Sequence, residues 1–147
     1  MDKQYHPTEI EEKWAKVWSE RKVKNESSTE SFSQVIPPPN VTGTLHMGHS
    51  FQYAIMDFYT RYNHMAGKDS YWQVGSDHAG IATQMVVENN LAKKDITRKD
   101  LGREKFLEEV WSWKDYSEEK ITSQIKRLGN TVDWNKYRFT LDDDFNE

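Results

Sequence analysis

The stretch that most constrains this chain is Pro37-Pro38-Pro39-Asn40-Val41-Thr42-Gly43-Thr44-Leu45-His46-Met47-Gly48-His49. Proline has no backbone N–H and cannot continue an interior strand, so the apolar run Phe32 to Ile36 reads as a strand that the prolines end. From about Leu45 onward, Phe51, Ile55, Phe58, Tyr59 and Tyr62 recur at spacings of three and four, the period of a helix with one buried face. A strand, a glycine-bearing turn and a helix start, in that order, make an anion site. Unpaired N–H groups and the positive end of the helix dipole converge there.

Upstream, His6-Pro7-Thr8-Glu9 has the proline and acid of a helix start, and Ile10, Trp14, Val17 and Trp18 form one apolar stripe. Residues 1–24 are therefore expected as a leading helix, and 25–33, rich in Asn, Ser, Thr and Glu, as a loop. Downstream, Gly67 stands where a helix cap would sit, and Tyr71 to Val74 read as a second strand bounded by Gly75. Strand, helix and strand at this spacing predict a right-handed crossover with parallel strands, hence an α/β sheet buried on both faces. The turn Gly75-Ser76-Asp77-His78-Ala79-Gly80 then leads to a helix from Ile81 to about Leu91. A polar connector, Lys93 to Arg98, precedes two further apolar stripes, Leu101, Phe106, Val110 and Trp111, then Ile121, Ile125 and Leu128. Val132 to Leu141 reads as strand or loop. Ligands of open α/β sheets bind beyond the carboxyl ends of the strands, so both motif-bearing turns are expected at one crevice with Asn40, His46, His49, Asp77 and His78 around it.

Composition narrows the partners. With 20 basic against 24 acidic residues, net −4, no global basic field marks a free-standing nucleic-acid binder, though a part of one remains open. The absence of cysteine removes disulfide frameworks and thiolate metal sites. Nothing resembles a signal peptide, and no run approaches the roughly 18 apolar residues of a membrane span, so a cytoplasmic protein is expected.

His46 and His49, three apart, share one side of a first helical turn. Their imidazole N–H groups can donate to a phosphoryl group whose charge rises during displacement, with Gly48 letting a nucleotide approach the backbone. Alternatively the pair joins Asp77 or His78 around zinc, although it lacks the Glu-bearing spacing of metalloprotease helices, or it is purely structural. The residues alone leave these open; no resident metal is expected. Asp77 fits an Asx turn or helix cap, and equally a carboxylate receiving an ammonium group in a concave site. His6 and His64 have no such context and are expected at the surface.

The stretch Pro37 to His49 resembles the His-x-Gly-His signature region of class I aminoacyl-tRNA synthetases, in particular their valyl branch. Gly75-Ser76-Asp77-His78-Ala79-Gly80-Ile81-Ala82-Thr83-Gln84 is similar to the same branch's second block. A third block runs from Gly102-Arg103-Glu104-Lys105-Phe106 through Val110-Trp111-Ser112-Trp113-Lys114 and Leu128-Gly129 to Asp133-Trp134 and Phe139-Thr140-Leu141-Asp142. His-x-Gly-His alone is shared by other nucleotidyltransferases and could persist in a non-catalytic binding remnant. The three blocks in order, covering nearly the whole chain, are far more specific.

The resemblance implies the first half of a Rossmann-like nucleotide-binding domain with parallel strands, spanning 1–147 and preceded by the leading helix. It implies activation of valine by ATP, with Mg2+ accompanying the nucleotide, and transfer of the valyl group to its tRNA by a protein monomeric at full length. His46 and His49 would be catalytic and bind ATP together with Asn40 and Gly48; Pro37, Pro38, Asn40 and Asp77 would bind valine. The family's second signature, Lys-Met-Ser-Lys-Ser, does not occur here, and the chain stops after Asp142-Asp143-Asp144-Phe145-Asn146-Glu147. The editing domain, second catalytic half and anticodon-binding regions are thus expected to be missing, and the chain alone is not expected to complete the reaction. Glu118-Glu119 depart from the family's usual glycine and are expected away from the crevice, as are Asn130-Thr131.

Overall fold

In the computed structural model, which describes residues 6–20 and 27–145, the triple proline does end a strand. That strand, β1 (Ser31–Val35), pairs in parallel with β2 (Asp69–Gln73), from Ser31 opposite Asp69 to Val35 opposite Gln73. Its start falls inside the stretch expected to be loop. Ladder hydrogen bonds are made by the backbone, so the two serines do not prevent pairing. Residues 1–5, 21–26 and 146–147 lie outside the described residues, and with them the ends of the expected leading helix, the start of the expected loop and the last two residues of the chain. Within the described part, α1 spans Pro7–Ser19, with proline in its first turn.

Beyond β2 the chain runs on as β3 (Gly75–Ser76), which pairs in parallel with β4 (Arg138–Phe139). Residues 69–77 are therefore bordered by β1 and its extension on one edge and by β4 on the other. Ile36 N–H donates to the Gln73 carbonyl at 2.9 Å, whereas Arg138 N–H donates to Val74 and Thr140 N–H to Ser76, both at 3.2 Å.

The crossover helix α2 (Met47–Met65) buries Tyr53, Asp57 and Thr60. The expected buried stripe is on the other side: Phe51, Phe58 and Tyr62 are each more than 60% exposed, and Ile55 and Tyr59 are also exposed. The 3.6-residue period is real, but no element among the described residues covers that face. The sheet likewise fails the expectation of two buried faces, since Ser31, Ser33 and Val35 of β1 are exposed. Its other face meets α2, where the Gln34 amide donates to the Met56 carbonyl and to Thr60 Oγ1.

Helix α3 (Gly80–Ala92) is followed by α4 (Arg98–Arg127), one helix that carries the first downstream apolar stripe and the second as far as Ile125, with a kink at Gly102 just after its first turn. Thr97 and Asp100 cap it reciprocally. One core cluster holds Ile36, Tyr53, Trp72, Val74, Ile121, Ile125 and Val132, so α2 and α4 pack with the strands. A second, Val87, Leu91 and Phe106, joins α3 to α4. Gly129 ends α4 at φ +72°, and a Cβ there would lie 2.3 Å from the Trp18 ring, so only glycine admits α1 at this point. Short 3₁₀ turns at Trp134–Lys136 and Asp143–Phe145 flank β4. No helix among the described residues is long and apolar enough to cross a membrane.

Candidate functional site

Past the prolines, the chain rejoins the strand it left. Asp77 N–H donates to the Pro39 carbonyl at 2.9 Å and Val41 N–H to the Asp77 carbonyl at 3.0 Å, an isolated parallel bridge between Asn40 and Asp77. The turns Pro37 to His49 and Gly75 to Gly80 are thus stitched together beyond the carboxyl ends of β1 and β2, as the topology requires. Pro37, Pro38 and Asn40 are exposed there, and Pro39 is buried. Tyr53, whose hydroxyl donates to the Pro37 carbonyl at 3.4 Å, is pushed by burial up to about 12.

Asp77 makes the Asx turn read from the sequence, its Oδ1 accepting Ala79 N–H at 2.9 Å, and is otherwise partly exposed. Thr140 ties this turn to the end of β4. Its Oγ1 accepts His78 N–H at 2.9 Å, lies 2.6 Å from His78 Nδ1 and donates to Asp77 Oδ1 at 3.4 Å.

The two histidines cap α2 in both directions. His46 is the N-cap, its Nδ1 accepting Gly48 N–H at 3.1 Å, while His49 Nδ1 accepts His46 N–H at 3.2 Å. This is a capping box made from imidazoles. A ring nitrogen that accepts carries no proton, so each neutral ring holds its proton on Nε2, as a donor. The ring centroids are 3.8 Å apart. Burial, and then the neighbouring His46, hold the pKa of His49 below the ordinary imidazole value. A Cβ at Gly48 would sit 2.9 Å from His46 Cε1, so the missing side chain makes room for that ring.

Sequence reasoning missed what lies beneath. From one side of α4, Trp113 Nε1 donates to the Val41 carbonyl at 3.0 Å and Ser117 Oγ to the Gly43 carbonyl at 2.9 Å, and Gln124 Oε1 accepts Leu45 N–H at 2.9 Å. The available signal was polar residues at helical spacing within the same stripe as Ile121 and Ile125. Glu118, expected away from the crevice, underpins it. Its Oε1 accepts from Tyr137 at 2.8 Å and from Ser76, next to Asp77, at 3.2 Å, and Lys114 pairs with its Oε2 at 2.7 Å. A cavity of about 610 Å³ adjoins the histidine turn through Leu45 and Ser50, but it opens toward Trp14 and Trp18 of α1 rather than between the two turns. His6 stands at the N-cap position of α1 without a side-chain cap bond, and His64 sits at the far end of α2, neither in the site. Among the described residues no group of three or more His, Cys, Asp or Glu side chains is arranged to hold a metal ion.

The family described as tRNA synthetases class I (I, L, M and V) matches residues 9–147. A valine–tRNA ligase from Acinetobacter baylyi is 59% identical over 140 residues, which are 95% of this chain and 14% of that protein. The chain therefore spans about a seventh of the length of this relative. The fold is that of a much more distant structure, the agnB2 LeuRS of Agrobacterium radiobacter K84 in its ternary LeuRS-tRNA-LeuAMS complex. The TM-score is 0.75 at 19% identity, over 97% of this chain and 17% of that one. With its two stitched turns and its family match over nearly the whole length, the chain belongs to the class I tRNA synthetases.

Proposed function

We propose that this chain is the amino-terminal half of the catalytic domain of a valine–tRNA ligase, and that the two stitched turns hold the reagents of valine activation. The observation that carries this reading is the imidazole capping box, which leaves two Nε2–H donors at the amino end of α2. Together with the dipole of that helix they suit the phosphates of ATP. Asn40 and Gly48 border the nucleotide, and Asp77 receives the valine ammonium group with the Pro38 carbonyl beside it. Pro37 forms one wall of the side-chain pocket.

In this reading the valine carboxylate attacks the α-phosphorus, forming the acyl–phosphate bond as pyrophosphate leaves, and His46 and His49 stabilise the charge that develops. The substrate is its own nucleophile, so the chain needs no general base. Mg2+ enters with ATP as part of the substrate and neutralises phosphate charge. Transfer of the valyl group to tRNA, in the cytoplasm, depends on parts of the longer relatives outside the stretch that this chain matches. Support comes from the 59% identity to a valine–tRNA ligase and from the Asn40–Asp77 bridge, which joins the two turns.

Titration of the chain with Mg-ATP, followed by amide chemical shifts, tests the reading. Weak binding with changes centred on residues 37–49 and 75–80, lost in His49→Ala, is expected. No perturbation at millimolar ATP would overturn it. Efficient charging of tRNA by the chain alone would overturn the proposal that it is only half of the machinery.

A further inference from the structure

The backbone of the turn that carries His46 makes few hydrogen bonds to itself. Val41 N–H goes to Asp77, and the Val41 carbonyl, Gly43 carbonyl and Leu45 N–H are met in order by Trp113, Ser117 and Gln124. These α4 positions are separated by four and seven residues, so they fall on one side of the helix, the side that also carries the buried Ile121 and Ile125. Gln124 acts at the most sensitive point. Leu45 immediately precedes the N-cap, and the direction of its N–H sets where the His46 backbone enters α2. The His46 N–H in turn is the donor that fixes His49 Nδ1.

We propose that Gln124 is a positioning residue: by accepting Leu45 N–H from α4 it sets the imidazole capping box, and thereby holds the Nε2–H donors of both histidines toward the ligand. Ser117 and Trp113 assist by fixing the two carbonyls upstream. The consequence for binding rests on the phosphate reading of the site, but the positioning itself does not.

The test reads the histidine rings directly, by long-range nitrogen–proton correlation on the ligand-free chain. The parent should show both rings in the single Nε2–H tautomer. Gln124→Leu removes the acceptor at similar size and should convert His46 and His49 to mixed tautomers, while Gln124→Glu, which can still accept, should restore the parent pattern. Unchanged tautomers in a folded Gln124→Leu would overturn the proposal, as would equal disturbance by Leu and Glu, which would signify packing alone. Should Gln124→Leu fail to fold, Ser117→Ala carries the test, with loss of the single tautomer expected and its full retention overturning the idea. Added Mg-ATP separates the two claims. If ATP leaves the parent rings unmoved, the phosphate reading fails while the tautomer result still decides the role of Gln124.

Discussion

At the scale of single residues, the imidazole pair sets the sharpest expectations. His49 takes up a proton less readily in the folded chain than in the unfolded one. The unfolded state therefore binds more protons as pH falls through the ordinary imidazole range, and stability drops until the lower folded value is passed. Thermal melts should show the chain more stable at pH 8 than at pH 5, and His49→Gln should narrow that difference. Bound ATP should reverse the local shift, since a nearby anion favours the imidazolium form; a His49 titration that stays put or moves down with ATP would count against phosphate contact. Gly48→Ala tests the room left for His46. Its Cβ pushes the ring off the Gly48 N–H, so urea unfolding should report a loss of about 1 kcal/mol, the usual worth of an N-cap.

At the scale of elements, α2 is pinned by polar chemistry more than by the stripe its sequence advertises. Asp57 accepts Arg61 Nε and Thr131 N–H, each at 2.6 Å, and Arg61 reaches the Gly129 carbonyl at 2.6 Å while lying over the Trp18 ring. Asp57→Ala takes the acceptor from a part-buried amide and from the partly exposed Arg61 together and should cost roughly 2 kcal/mol in denaturant unfolding. Asp57→Asn, which keeps an acceptor for Thr131, should cost about 1 kcal/mol. The two turns were legible in the sequence because prolines, glycine and a capping histidine act on their immediate neighbours. Periodicity revealed the amphipathic α2 but not which face finds cover, and the buried side mixes Tyr53 with Asp57 and Thr60, whose polar atoms are met from distant segments. The α4 contacts were illegible for the same reason: Trp113, Ser117 and Gln124 act across 72, 74 and 79 residues of chain.

At the scale of the whole molecule, the exposed run of Phe51, Ile55, Phe58 and Tyr62 on α2 leaves an apolar surface. Surfaces of this kind drive association. Sedimentation velocity should show concentration-dependent self-association that Phe51→Lys with Phe58→Glu reduces; a monomer at every concentration would refute this. The bridge between Asn40 and Asp77 has the opposite character. Because Val41 and Asp77 donate across the same junction, neither turn can open without the other. Their amides should exchange with solvent through one shared opening, at a common free energy. On the proposed function, any motion that brings nucleotide and amino acid together then comes from outside this pair, which behaves as a fixed anvil.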